Sequence, residues 1–284
     1  MHKLTIKDIY DKVHEGKKIA LMTAYDYPIA KLEDTVGIDI ILVGDSIATT
    51  VFGRDDTLNV TMDDMIHHAE AVSRACDRAI VIGDMPFMTY QTSIRDAIFN
   101  AGRFVSEAKC DAVKLEGGRN YVAQIEGIVN AGIPVMGHIG LLPQSYHRYG
   151  GYRVQGKNAE AALGIIKDAI AIEKAGVFAI IAESVPENVT SLIKNYVSVP
   201  VFGIGAGSNC DGQIIVVNDI LGLNFGKTPK FVKVFKDLKP IISEAISKYV
   251  YEVNSVKYPT HEYEYHMSDV ERKRLEELLK KINL

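Results

Sequence analysis

What this 284-residue chain has little of narrows the field first. It holds only three cysteines, Cys76, Cys110 and Cys210, odd in number, far apart and without a C-x-x-C pair. Neither a disulfide framework nor a cysteine zinc site is suggested, and reduced buried thiols are expected. Neither sign of charge is in large excess, the net value being -4. No surface for nucleic acid or an anionic membrane is therefore expected. No apolar run approaches the roughly 20 residues that a membrane helix needs. The opening "MHKLTIKDIYDKVHEG" is charged throughout, without the apolar centre of a signal peptide or the Arg- and Ser-rich character of a transit peptide. Together these absences point to a cytoplasmic location. There is no Pro/Gly/Ser-rich linker and no internal repeat. "GIGAG" (203–207) falls short of G-x-G-x-x-G and comes late, which argues against a nicotinamide site.

What is present is a rhythm. Short β-branched runs recur: "KIALMTAY" (18–25), "IDIILVGD" (38–45), "RAIVIGDMP" (78–86) and "AVKLEG" (112–117). The series continues with "PVMGHIG" (134–140), "FAIIAES" (178–184), "PVFGIGAG" (200–207) and "GQIIVVND" (212–219). The runs are continuously apolar rather than alternating, as parallel strands covered on both faces are. Helical stretches lie between them, for example "TMDDMIHHAEAVSRA", where Thr61 reads as the N-cap and Asp64 sits in the first turn. Eight strands alternating with helices predict an α/β fold, a (β/α)8 TIM barrel, over residues 1–250 with an N-terminal helix. An open doubly wound sheet is the competing architecture, because the last run can turn away. The polar stretch 251–284, ending in a charged helix, is expected to be a C-terminal appendage.

The polar residues at the ends of the runs form a short set. They are Tyr25 and Asp26, Asp45 and Ser46, Asp84, Lys114 and Glu116, His138, and Glu183 with Ser184. In such barrels the C-terminal strand ends build the active site. Asp45, Asp84, Glu116 and Glu183 would then converge, and carboxylates that close need protons or a cation between them. Oxygen ligands with one or two direct carboxylates suit Mg2+. The plainer alternative makes Asp45 and Asp84 helix caps or partners of Lys114. The stretch "QSYHRYGGYRVQGK" (144–157), rich in Tyr, Arg and Gly, reads as a lid. "HEYEYH" (261–266) imitates metal-ligand spacing but reads as plain surface.

"TAYDYPIAK", "VGDS", "DMPFMTY", "VKLEGG", "GHIGLLPQS", "GGYRVQGK" and "GIGAGSNCDGQIIVVNDILGL" occur in this order. Together they resemble the ketopantoate hydroxymethyltransferase family over about residues 3–250. The resemblance implies a Mg2+-dependent one-carbon transferase. It would move a hydroxymethyl group from 5,10-methylenetetrahydrofolate to 3-methyl-2-oxobutanoate (2-oxoisovalerate), giving ketopantoate on the way to pantothenate and coenzyme A. It implies that Asp45 and Asp84 bind the metal, with Glu116 in its shell. Ser46 and Lys114 would contact substrate, and Glu183 would be the base. A cytoplasmic homo-oligomer, commonly a decamer, is implied as well. His138, Tyr25 and Ser184 are accessory candidates. Arg148, Arg153 and Lys157 are candidates to meet the glutamate tail of the folate. Two rival readings are a Mg2+-dependent α-keto-acid carbon–carbon lyase on a similar barrel and a non-catalytic keto-acid-binding barrel. The second expects a lost position among Asp45, Asp84, Lys114, Glu116 and Glu183, and all five are intact.

Overall fold

Runs that are apolar on both sides have to be covered on both faces, and closing the sheet on itself also removes its edges. A computed structural model describes residues 2–226 and 228–282. In it the eight runs form a closed barrel in which each strand pairs with the next. The strands are β1 (Ile19–Thr23), β2 (Ile40–Val43), β3 (Ile80–Asp84), β4 (Ala112–Glu116), β5 (Val135–Gly140), β6 (Ala179–Glu183), β7 (Val201–Ile204) and β8 (Gly212–Ile215). The last run does not turn away. It closes the barrel in parallel register with β1, from Ile19↔Gly212 to Met22↔Ile215. The expected TIM barrel is the observed one, and the open sheet is excluded.

Local chemistry fixes the helix starts. Before the helix Met62–Ala75, Thr61 Oγ1 accepts from the Asp64 N–H at 3.1 Å, and the Asp64 carboxylate accepts from the Thr61 N–H at 3.0 Å. Two otherwise orphaned donors are satisfied reciprocally.

Alternation along each strand then divides the core. Ile19, Leu21, Ile40, Leu42, Ile80, Ile82, Ala112, Met136, Ile181, Phe202 and Ile214 pack together as one cluster inside the barrel. Burial of each large member stabilises the barrel by about 2 kcal/mol. Two residues further along β3, β4, β5 and β6, the same inward face carries Asp84, Lys114, His138 and Glu183. These polar ends therefore stand on an apolar floor. The helix Ile6–His14 belongs to the other end of the barrel. Its Ile9 joins the inner cluster, and Tyr10 Oη donates to the Phe178 carbonyl at 2.9 Å, just before β6.

The chain divides into two compact units, Met1–Lys236 and Asp237–Leu284. Within the second, the helix Lys239–Asn254 and the helix Asp269–Leu279 have no buried residue. Tyr258 makes ring contacts with Tyr249 and Tyr263. His261 and His266 stack at 4.1 Å on exposed chain, as expected of surface. Among the described residues no helix is long and apolar enough to cross a membrane.

Candidate active site

Parallel register brings the polar strand ends side by side. Asp84 on β3 is level with Lys114 on β4, Glu116 with His138 on β5, and Gly140 with Glu183 on β6. Lys114 Nζ donates to Asp84 Oδ2 at 3.0 Å and to Glu116 Oε1 at 3.3 Å, with all three residues at most 3% exposed. Burial by itself would make the ammonium release its proton; the charges of Asp84, Glu116 and Asp45 outweigh it and hold Lys114 above its ordinary value. Asp84 is pushed up to about 7 by burial, with Lys114 opposing and Asp45 reinforcing. Burial also lifts Glu116 well above its ordinary value. Three buried carboxylates, Asp45, Asp84 and Glu116, thus share one ammonium, and the surplus negative charge is relieved by a proton or by a second cation.

Asp45 follows the end of β2. Its N–H donates to Asp84 Oδ2 at 3.0 Å, and its own Oδ2 accepts from Gln144 Nε2 at 2.9 Å. Ser46 Oγ and Tyr25 Oη are 2.8 Å apart. A side chain at Gly44 would put a Cβ 2.7 Å from Ser46 Oγ, so glycine leaves room for that pair.

Across the cup, Glu183 Oε2 is 3.2 Å from His138 Nε2. Burial pushes Glu183 up to about 7 against the opposing charge of Lys114. Burial, helped by Lys114, holds His138 well below its ordinary value, so the ring is neutral near pH 7. The exits of β5 and β6 are knitted together, Leu141 N–H donating to the Glu183 carbonyl at 2.9 Å. Gly140 has φ +91°, and a Cβ there would lie 2.4 Å from the Glu183 carbonyl oxygen. Only glycine permits that approach without strain. Ser184 is buried with φ +48°. Its N–H donates to Ile204 O at 2.8 Å, and its carbonyl accepts from Gln155 N–H at 2.9 Å, so its backbone ties β6 to β7 and to the 144–157 stretch.

The structure therefore assembles Asp45, Asp84, Lys114, Glu116, His138 and Glu183, with the Tyr25–Ser46 pair alongside Asp45. Arg148, Arg153 and Lys157 are exposed along 144–157 rather than built into the buried cup. Two buried members of the cup, Gln144 and Tyr90, are absent from the sequence-derived set. The signal available for them was modest: a polar residue just after "GLLP" and a tyrosine closing "DMPFMTY".

The donor set suits a hard divalent cation. Asp84 Oδ1 is buried and takes no hydrogen bond although Lys114 Nζ is 3.0 Å away, so it retains coordinating capacity. Among the described residues no three His, Cys, Asp or Glu side chains form a group that could by itself hold an ion.

A closed parallel barrel whose carboxylates and lysine crowd the C-terminal strand ends has the form of a barrel enzyme, with its site in the usual place for that class. The ketopantoate hydroxymethyltransferase family model matches residues 3–261, and the chain belongs to that family. It is 50% identical over 263 residues to the 3-methyl-2-oxobutanoate hydroxymethyltransferase of Syntrophomonas wolfei, covering 93% of this chain and 95% of that protein. It is 51% identical over 262 residues to the enzyme of the same name from Geotalea uraniireducens, covering 92% and 98%. Among solved structures it is similar to a phosphonopyruvate hydrolase, with TM-score 0.60 at 13% identity over 99% of this chain and 97% of the other. A 2,3-dimethylmalate lyase superposes with TM-score 0.56 at 16% identity, over 97% and 96%. At those identities the likeness shows a shared fold and nothing further.

Proposed function

We propose that this chain transfers a hydroxymethyl group from 5,10-methylenetetrahydrofolate to 3-methyl-2-oxobutanoate, giving ketopantoate, in a Mg2+-dependent reaction. The observation that carries the reading is the cup itself, in which a lysine stands between two carboxylates while a third acid, Glu183, lies across it with its proton affinity raised to about 7. Asp45 and Asp84 are the residues that would hold Mg2+, with Glu116 beside them. When bound, the ion would supply Lewis-acid polarisation of the keto group.

Glu183 takes the C3 proton of the keto acid, since an acid poised near neutrality is the most effective base at that pH. The neutral ring of His138 faces this carboxylate, with Nε2 at 3.2 Å. Lys114 holds a fixed positive charge for the substrate carboxylate, or for the oxygen on which negative charge grows as the proton leaves. Ser46, kept in place by Tyr25, offers a hydroxyl to the same substrate. Water hydrolyses the two C–N bonds of the donor's methylene carbon, releasing tetrahydrofolate and a formaldehyde-level carbon. C3 then attacks that carbon, and its oxygen takes up a proton to become the product hydroxyl. The folate's glutamate tail meets Arg148, Arg153 and Lys157 at the open side. A cytoplasmic homo-oligomer, and a catalytic barrel followed by a C-terminal appendage, belong to the same reading.

The deciding assay is ketopantoate formation with each of Mg2+, the folate donor and the keto acid omitted in turn. Loss of product in all three omissions is expected. Turnover of a keto or hydroxy acid without folate would favour a lyase instead, and keto-acid binding without turnover would favour a binding barrel.

A further inference from the structure

Gln144 makes more polar contacts within the cup than any of its carboxylates. It is 6% exposed. Its backbone N–H donates to Glu116 Oε2 at 3.0 Å, and its Nε2 donates to Asp45 Oδ2 and to the Met85 carbonyl, both at 2.9 Å. Its Oε1 lies 2.8 Å from Tyr90 Oη and accepts from Gln91 Nε2 at 3.1 Å. The orientation of the amide is forced. The Met85 carbonyl only accepts, so the NH2 group must face it and Asp45 Oδ2 beside it, and the oxygen must face Tyr90 and Gln91. Among the described residues this is the one hydrogen bond accepted by the Asp45 carboxylate.

A neutral donor suits this position. A cation here would offset the charge of Asp45, and an apolar side chain would leave buried oxygens unpaired. We infer that Gln144 is a positioning residue: it aims the Asp45 and Glu116 carboxylates at the cation site and roots the 144–157 stretch in the cup. The inference rests on the proposed role of Asp45 in holding the metal. Coordinating carboxylates are commonly held by such outer hydrogen bonds, whose loss costs about 10–100-fold in metal affinity or activity.

The test titrates Mn2+, as the probe, into the metal-free full-length protein and its variants and follows the ion by electron paramagnetic resonance. Wild type should bind, and Asp45→Ala should not. Gln144→Met should bind at least 10-fold more weakly, with an altered bound-Mn2+ line shape; a merely structural role would lower the melting temperature and leave that spectrum unchanged. Tyr90→Phe removes one donor to the amide, together with the Oη contacts to the Glu116 backbone at 2.9 and 3.2 Å, while keeping the ring, so it should fold and weaken Mn2+ by about threefold. If Asp45→Ala binds as wild type does, or wild type does not bind, the metal reading itself fails. If Asp45→Ala loses Mn2+ and Gln144→Met stays within twofold of wild type with the same spectrum, the inference about Gln144 alone is overturned. Should Gln144→Met not fold, Tyr90→Phe decides: unchanged affinity and spectrum overturn the inference, and weakened binding with a changed spectrum supports it.

Discussion

Glu183 Oε2 and His138 Nε2 face each other at 3.2 Å, and burial drives their proton affinities in opposite directions. The acid is raised to about 7 and the imidazole is held well below its ordinary value, so near neutrality the ring carries no charge. An acid acting as base works only when ionised. Exchange of the C3 hydrogen of the keto acid, measured in D2O without folate, should therefore rise with pH through about 7 and then level off. A profile flat from acid to neutral pH would assign the proton to another group.

Replacing Glu183 with Gln keeps the size of the side chain and removes the base. Exchange at C3, followed by NMR with Mg2+ present, should slow by roughly 100-fold or more. Keto-acid affinity by calorimetry should change little. Wild-type exchange in the variant would make His138 the next candidate.

Lys114→Met leaves Asp84 and Glu116 buried without their cation, which should cost about 3–5 kcal/mol of stability. Both acids are already raised by burial, and losing Lys114 raises them further, so protonation relieves the strain at low pH. Urea unfolding should show a large loss at pH 8 and a smaller one at pH 5.5. Equal losses at both would mean that lost packing, not unpaired charge, dominates.

Glu33, on the helix Tyr27–Val36, is 5% exposed, and neither carboxyl oxygen has a hydrogen-bond partner among the described residues. Burial, with Asp26 adding to it, raises its pKa from 4.5 to about 8. The unfolded chain ionises first, so its contribution is most favourable below about 4.5 and is lost as pH rises towards 8. Glu33→Gln should be more stable than wild type by on the order of 4 kcal/mol at pH 7.5, at 1.36 kcal/mol per unit, and nearly equal to it at pH 4.5. Thermal unfolding at both pH values checks this; a constant difference would show that the acid is ionised in the fold.

Arg148→Ala and Arg153→Ala should each raise the KM for the folate donor about 10-fold, the scale of one charge-assisted hydrogen bond. The KM for the keto acid should stay within about twofold. Equal effects on the two substrates would remove the arginines from the folate side.

Much of the site was legible because strand ends are a one-dimensional signal. Asp45, Asp84, Glu116, His138 and Glu183 each close or follow an apolar run, and parallel pairing then places them side by side. Gln144 was not legible in the same way. It reaches Asp45 across 99 positions and Tyr90 across 54, and no local pattern marks a residue whose partners lie that far away. The same applies to Glu33, whose place on an amphipathic helix looks ordinary until its packing is known.

The apolar runs by themselves determined eight strands buried on both faces, and their order in the chain determined which polar residues would end them. The capping chemistry of Thr61 with Asp64 likewise needed only nearby residues. The charges were decided by the tertiary structure alone. Whether Lys114 pairs with Asp84, whether Glu183 holds its proton near neutrality and whether His138 is neutral all depend on the water that barrel closure excludes. That exclusion arises from all eight strands together, so no single stretch of sequence encodes it.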